Sequence, residues 1–346
     1  MKRYDEALTE TQKAVELESD SAEYRNSLGI TLHEMKRYDE ALTETQKAVE
    51  LEPNNAEYRN SLGITLHALK RYDEALIEMQ KAVELEPDNP EYRNSLGVTL
   101  HNMKRYDDAL IELQKAVALG PDNAKYHNSL GVTLHNMKRY DEVLIEKQKA
   151  VELEPDNPEY RNSIGVTLHE MKRYDEALTE TQKAVELEPN NAEYRNSLGI
   201  TLHALKRYDE ALIEMQKAVE LEPDNPEYRN SLGVTLHNMK RYDDALIELQ
   251  KAVALGPDNA KYHNSLGVTL HNMKRYDEVL IEKQKAVELE PDNAEYHYSL
   301  GATLCCIERY DEALIETKKA VELEPDNPEY HDLLDIILSI IECYNV

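Results

Sequence analysis

Apolar residues recur along the chain at helical spacing, in two stretches that together make a unit of 34 residues. In the unit 56–89, the first stretch carries an apolar stripe at intervals of four, four and three residues, formed by Tyr58, Leu62, Leu66 and Leu69. The second stretch has the same period, with Tyr72, Ala75, Leu76, Met79, Ala82, Val83 and Leu85. Such intervals place side chains on one face of an α-helix. The pattern therefore predicts two amphipathic helices per unit.

The helix ends are marked by proline, asparagine and charge. Pro87 ends the second helix, because proline cannot continue it. Asn89 then caps the next helix, with Pro90 at its first position and the acid Glu91 in its first turn. Gly63 lies inside the first apolar stripe, where glycine weakens a helix. Its recurrence in each unit predicts a close approach between helices.

The unit repeats without insertion from residue 22 to residue 327, which makes nine copies. We therefore expect three segments: a half repeat with only a second helix (1–21), nine tandem repeats (22–327) and an apolar C-terminal helix (328–346). Units of this length stack on their neighbours, so one elongated solenoid is predicted. Residues 31–157 and 167–293 are identical. The two halves should therefore present the same surface.

The repeat resembles the tetratricopeptide repeat family, at the positions of Leu62, Gly63, Tyr72, Ala75, Ala82 and Pro87. This resemblance implies an all-α fold, a right-handed α-solenoid of antiparallel helix pairs. It also implies a non-catalytic protein-interaction scaffold with a concave groove lined by first helices. Two positions depart from the family, because Arg59 and Met79 stand where it usually has aromatic residues. At the Met79 position, two other units carry the lysines Lys147 and Lys283.

Composition narrows the classes of partner. The net charge of −28 disfavours nucleic acid, which requires clustered Lys and Arg. The acidity favours a well-solvated surface, or attraction to basic partners. Three cysteines, Cys305, Cys306 and Cys343, make no disulfide framework, which indicates a reducing compartment such as the cytoplasm. No apolar stretch reaches the roughly 18 residues of a membrane span.

Catalytic and metal chemistry find no support in the motifs. The histidines that recur once per unit lie a whole helix pair apart, too far to share one metal. The sequence contains no glycine-rich phosphate loop, HExxH or GxSxG motif. We therefore expect no enzymatic activity, no cofactor and no metal.

A row of polar residues along the first helices is the candidate binding site. Asn60, Ile64 and His67 lie on one helix face, and an asparagine amide can both donate to and accept from a peptide backbone. In the family this face lines the groove. The predicted groove residues are Asn26, Asn60, Ile64, His67, Asn94, His101, Asn128, His135, Asn162, His169, Asn196, His203, Asn230, His237, Asn264 and His271. They would bind an extended peptide or protein segment. The alternative is that the asparagines only bond neighbouring helices.

The C-terminal segment suggests a second hypothesis, self-assembly. Its apolar residues cover nearly every helix face, and they are Leu333, Leu334, Ile336, Ile337, Leu338, Ile340 and Ile341. A terminal helix with a polar outer face would be typical of a cap. The segment could instead pair with the N-terminal helix of the next molecule, through Tyr4, Leu8 and Val15. That contact does not close, so it predicts a head-to-tail homo-oligomer or filament.

Overall fold

The computed structural model describes residues 2–344, with side chains described for residues 5–343. These residues form twenty α-helices and contain no strand. The all-α class predicted from the periodicity is confirmed. The helices form two compact units, Met1–Met171 and Lys172–Val346. The three segments drawn from the repeat period stay a prediction.

The first unit contains α1 (Lys2–Leu17), α2 (Ala22–Glu34), α3 (Tyr38–Leu51), α4 (Ala56–Ala68), α5 (Tyr72–Leu85), α6 (Pro90–Asn102), α7 (Tyr106–Leu119), α8 (Ala124–Asn136), α9 (Tyr140–Leu153) and α10 (Pro158–Glu170). Each of α2, α4, α6 and α8 is the first helix of a repeat and packs on the second helix that follows it. Because only a short turn joins the two helices, they run antiparallel. First helices of neighbouring repeats also touch one another. The unit is therefore an α-solenoid.

The second unit has the same architecture. It contains α11 (Tyr174–Leu187), α12 (Ala192–Ala204), α13 (Tyr208–Leu221), α14 (Pro226–Asn238), α15 (Tyr242–Leu255), α16 (Ala260–Asn272), α17 (Tyr276–Leu289), α18 (Ala294–Cys306), α19 (Tyr310–Leu323) and α20 (Pro328–Tyr344). Its core is a run of small clusters between neighbouring helices, such as Met215, Leu232, Leu236 and Leu249. Burial of this kind between adjacent repeats is typical of a solenoid.

The glycine in each first helix lets the two helices of a repeat approach closely. A Cβ atom built on Gly63 would lie 2.6 Å from Cγ of Met79 and 3.4 Å from the carbonyl oxygen of Ala75. The same close contact occurs in other repeats, because a Cβ atom built on Gly97 would meet the side chain of Leu113, and one built on Gly131 would meet that of Lys147. The predicted close approach is confirmed.

The first helices end in a turn with one residue in the left-handed conformation. Lys70 has a φ of 60°, in the left-handed region. The N–H of Lys70 donates to the carbonyl oxygen of His67, and the N–H of Arg71 donates to that of Leu66. This is a Schellman arrangement, in which the left-handed residue is usually glycine. At the other end, the predicted cap is confirmed, because the Asn89 side chain accepts from the N–H of Glu91.

Arg59, which departs from the family pattern, joins its first helix to the preceding turn and to the second helix of its repeat. Its Nε donates to the carbonyl oxygen of Pro53 at 2.6 Å, and its guanidinium pairs with Glu78 of the second helix. In the repeat 124–157, His127 replaces the arginine and makes the same two contacts, at 2.9 Å to Pro121 and 2.6 Å to Glu146. A polar residue therefore joins the inter-repeat turn to the second helix where the family has an aromatic ring.

Lys147 and Lys283 do not reach solvent, and neither forms a direct ion pair with another described residue. Both are only 4% exposed. Lys147 Nζ donates to the carbonyl oxygen of Ser163 at 3.2 Å and to Oγ1 of Thr167 at 3.1 Å. Burial lowers the pKa of Lys147 to about 8, although the charge of Glu170 partly opposes this effect. Burial also lowers the pKa of Lys283 to about 8.

The terminal helices bury part of their apolar surface within their own units. In α20, Ile337 is fully buried, and Leu333 and Ile341 pack beside it against α18 and α19. Leu334 and Ile340 are partly buried, whereas Ile336 is 53% exposed and Leu338 is 36% exposed. In α1, Leu8 and Val15 pack against α2 and α3. The side chain of Tyr4 lies outside the described residues.

Candidate functional site

The asparagines of the first helices are largely buried. Six of them are between 2% and 5% exposed: Asn26, Asn60, Asn94, Asn162, Asn196 and Asn230. Asn128 and Asn264 are half-buried. A buried amide needs hydrogen-bond partners on both its oxygen and its nitrogen. The partners of these amides therefore distinguish a binding role from a structural one.

Asn26 and Asn128 link neighbouring first helices of the first unit. Asn26 Nδ2 donates to Oε1 of Glu57 at 3.3 Å, and Asn128 Nδ2 donates to Oε1 of Glu159 at 3.4 Å. In each case the carboxylate lies in the first turn of the next repeat's first helix. The structural interpretation of the asparagine row thus holds for the nitrogen atoms of these two residues.

The amide oxygens behave differently. Within the described residues, Oδ1 is buried and has no hydrogen-bond partner in Asn26, Asn60, Asn94, Asn128, Asn196, Asn230 and Asn264. A buried acceptor without a partner costs about 1–3 kcal/mol. A bound water molecule or ligand would remove this cost. The row therefore offers unused hydrogen-bonding capacity.

A groove of about 630 Å³ runs across the first helices of the first unit. Residues of α2, α4, α6 and α8 line it, namely Ile30, His33, Glu34, Glu57, Asn60, Ser61, Ile64, Thr65, Glu91, Tyr92 and Lys125. The structure thus brings two predicted residues, Asn60 and Ile64, into one groove. It adds residues that sequence reasoning did not assign to binding. Glu91, for example, is predicted only as the acid of a helix first turn.

The predicted histidines serve contacts between repeats. His203 Nδ1 lies 2.9 Å from Oγ1 of Thr235, and its Nε2 lies 3.3 Å from Nδ2 of Asn238, both in the next first helix. His101 and His237 make the corresponding contact with Thr133 and Thr269. Within its own repeat, the ring of His67 also packs against Tyr72, with ring centres 5.2 Å apart. His33, outside the predicted set, is the histidine that lines the groove.

Burial sets the charge of the histidines and of the groove tyrosine. It lowers the pKa of His33, His67, His101, His135, His169, His237 and His271. These rings are therefore mainly neutral at neutral pH. Burial and the nearby carboxylates of Glu86, Glu57 and Glu91 raise the pKa of Tyr92 to about 12, so it also stays neutral.

In the part of the chain that the structure describes, no three His, Cys, Asp or Glu side chains converge as metal ligands would. None of the helices in residues 2–344 has the length and apolar character that a bilayer span requires. Cys305, Cys306 and Cys343 carry free thiols.

Comparison with protein families identifies the repeat. Three family models described as tetratricopeptide repeat match most of the chain, at residues 66–132 and 202–268, at 1–50, 34–90 and 171–226, and at 148–179 and 284–315. The chain belongs to the tetratricopeptide repeat family. Its Arg59, Lys147 and buried asparagines are thus variations on a tetratricopeptide fold. No curated protein matches the sequence.

Solved structures of the same fold share little sequence with this tetratricopeptide chain. The Cut9–Hcn1 hetero-tetramer of the APC/C matches with a TM-score of 0.64 and 14% identity, over 96% of this chain and 81% of that one. Yeast Tom70 matches with a TM-score of 0.56 and 14% identity, over 100% and 93%. Pseudomonas aeruginosa pilF matches with a TM-score of 0.52 and 22% identity, over 60% and 94%. At these identities the likeness concerns the fold alone.

Proposed function

We propose that the chain is a protein-interaction scaffold that binds an extended segment of another protein along its first helices. The observation that carries the proposal is the environment of Asn60. This residue is only 4% exposed, its Oδ1 has no partner among the described residues, and it lines the groove of about 630 Å³. Membership of the tetratricopeptide repeat family supports a scaffold role, as does the fold neighbour Cut9, which is assembled with Hcn1.

An extended peptide fits the chemistry of this groove. Its backbone presents N–H and C=O groups without internal partners, and an asparagine amide complements both. Ile30 and Ile64 also line the groove and offer apolar contact to a ligand. Because the groove crosses several first helices, it suits an elongated ligand more than a compact one.

The test replaces the amides of both units while leaving the helices intact. The groove variant carries Asn60→Ala, Asn94→Ala, Asn196→Ala and Asn230→Ala. Its matched control removes four exposed amides from second helices, with Gln80→Ala, Gln114→Ala, Gln216→Ala and Gln250→Ala. Peptides selected on the intact protein from a random displayed library serve as probes. We expect the groove variant to lose at least about tenfold in affinity, since each lost hydrogen bond contributes roughly 1 kcal/mol.

Thermal unfolding separates the two roles of the asparagines. Because these Oδ1 atoms have no hydrogen-bond partners among the described residues, the groove variant should melt close to the unchanged protein. A large loss of stability with unaltered peptide affinity would show that the row is structural. Failure of the library to yield any peptide whose binding depends on these residues would also contradict the proposal.

Head-to-tail assembly is a second candidate, favoured by the exposed apolar edge of α20 at Ile336 and Leu338. Asp335 weighs against pairing in the geometry of a repeat. It occupies the position at which other first helices carry glycine, where a Cβ at Gly63 would already lie 2.6 Å from Met79. Any contact with a second copy would therefore differ from the packing inside a repeat.

Light scattering on the intact protein tests this candidate. If α20 mediates assembly, Ile336→Glu should lower the mass, whereas Ile315→Glu, at a 65% exposed position on α19, should not. A mass of one chain at every concentration of the unchanged protein would refute assembly.

A further inference from the structure

We propose that the segment bound in the groove is basic, with a lysine or arginine side chain that lies between Glu57 and Glu91. The inference rests on the proposed function and adds the chemical class of the ligand. Three observations on the described residues support it: carboxylates without ion pairs, a buried amide oxygen without a hydrogen-bond partner in the same groove, and a lysine that interrupts the acidic row.

The groove carboxylates differ from the other acids of the repeat. Glu34, Glu57 and Glu91 line the groove, and within the described residues none of them pairs with Lys or Arg. On the second helices, by contrast, Glu78 pairs with Arg59 and Lys81. The groove therefore holds negative charge that the chain itself does not neutralise.

Other groups in the groove do not compensate for this charge. His33 and Tyr92 are mainly neutral at neutral pH, as shown above. Lys125 is the one cation among the described residues that line the groove, against three carboxylates. A concave surface with low-dielectric walls concentrates the field of such charges. A peptide cation would therefore be attracted into the groove, and an anionic peptide would be repelled from most of it.

Asn60 adds a buried hydrogen-bonding group to the same acidic groove. Asn60 lines the groove together with Glu57 and Glu91, and within the described residues its buried Oδ1 has no hydrogen-bond partner. Glu57 is itself oriented by the amide of Asn26, at 3.3 Å. An extended peptide can thus present its backbone to Asn60 while its basic side chain reaches the two carboxylates.

Lys125 determines at which end of the groove the basic residue of the peptide lies. It stands in the first turn of α8, at the position that Glu57 and Glu91 occupy in α4 and α6. A peptide cation is favoured beside the two glutamates and disfavoured beside Lys125. The basic residue of the ligand therefore lies toward α4 and α6.

Labelled short peptides of alanine, serine and glycine are the probes, carrying three lysines, three glutamates or no charge. We expect the lysine peptide to bind the intact protein most tightly at physiological salt. The carboxylate variant carries Glu57→Gln, Glu91→Gln and, because the second unit repeats the sequence, Glu193→Gln and Glu227→Gln. It should lose about tenfold in affinity for the lysine peptide, since each partly exposed charge pair contributes up to about 1 kcal/mol.

A matched variant controls for general attraction to an acidic protein. It removes four exposed carboxylates from second helices, with Glu50→Gln, Glu84→Gln, Glu186→Gln and Glu220→Gln. This variant should retain its affinity, whereas Lys125→Glu with Lys261→Glu should bind the lysine peptide more tightly. An equal loss of affinity in the carboxylate variant and in its control variant would overturn the proposal, because the attraction would then be non-specific.

The outcomes distinguish this inference from the function on which it rests. If peptides bind with an affinity that depends on the asparagines but not on peptide charge, the groove binds peptides and the basic preference is wrong. If no probe and no library peptide depends on the asparagines, peptide binding itself is wrong. Tighter binding of the glutamate peptide would also refute the basic preference.

Discussion

Lys147 donates from Nζ to the hydroxyl of Thr167 at 3.1 Å, and so places a buried amine between two repeats. The same position holds Met79 in the repeat 56–89, where Thr99 donates its hydroxyl to the methionine sulfur at 3.0 Å. Thr167 also donates to the carbonyl oxygen of Ser163, so its own hydrogen remains used without the lysine. Methionine therefore already occupies the equivalent buried position in another repeat of the same chain.

We expect Lys147→Met to stabilise the first unit. Burial that lowers the lysine pKa from 10.5 to about 8 corresponds to a penalty on the charged amine of roughly 3 kcal/mol. The lost hydrogen bonds offset about 1–2 kcal/mol of this gain. A rise of about 1–2 kcal/mol in the free energy of unfolding by urea should result at neutral pH. Lys283→Met should act in the same direction, and a fall in either variant would contradict the account.

The pH dependence gives an independent measurement. Below about pH 8, Lys147 is charged in the folded and in the unfolded chain, so its full penalty is present. Between about pH 8 and pH 10.5 the unfolded lysine retains a proton that the folded lysine has lost, so stability should rise with pH. The Lys147→Met variant should lose this part of the rise, as urea titrations at both ends of the window would show. If the Lys147→Met variant and the unchanged protein showed the same dependence of stability on pH, burial of the charged lysine would not explain the rise.

Glycine at Lys70 should relieve backbone strain. The φ of 60° costs a residue with a Cβ about 1 kcal/mol, which glycine avoids. Greater freedom of glycine in the unfolded chain removes part of the benefit. We expect Lys70→Gly with Lys104→Gly to raise the melting temperature slightly. Lys81→Gly, within the helix α5, is the control and should lower it.

We expect Gly63→Ala to destabilise the first unit, although the higher helix propensity of alanine alone would predict the opposite. Alanine normally stabilises a helix interior by about 1 kcal/mol relative to glycine. Here the added Cβ would lie 2.6 Å from Met79, and overpacking costs about 1–3 kcal/mol. A double-mutant cycle with Met79→Ala, followed by urea unfolding, should show that the two changes are coupled. Additive effects would mean that the two side chains do not compete for space.

Histidine should replace Arg59 better than alanine does. Arg59→Ala leaves Glu78 and the carbonyl oxygen of Pro53 without the guanidinium, at an expected cost of about 1–3 kcal/mol. Arg59→His should recover much of this loss, because His127 makes the same two contacts in its own repeat. Urea unfolding of the two variants checks the order. Equal stability would indicate that the contacts contribute little.

Much of the fold follows from local sequence. The spacing of Tyr58, Leu62 and Leu66 determines a helix, Asn89 and Pro90 mark where the next helix starts, and Gly63 signals a close approach. These features act over a few residues, or recur at one period, so the sequence alone reveals them. The period also implies stacking, because a single helix pair cannot bury its apolar face alone.

Tertiary structure decided what the polar residues do. Asn60 could be predicted to lie on a first-helix face, but only packing shows that its oxygen is buried without a partner in a groove shared with Glu57 and Glu91. The same holds for Lys147, whose hydrogen-bond partners lie in the next repeat. A side chain's hydrogen bonds, desolvation and charge depend on atoms brought together from different helices. The sequence by itself thus determined the helices and their stacking, and the contacts between helices decided where a ligand could bind.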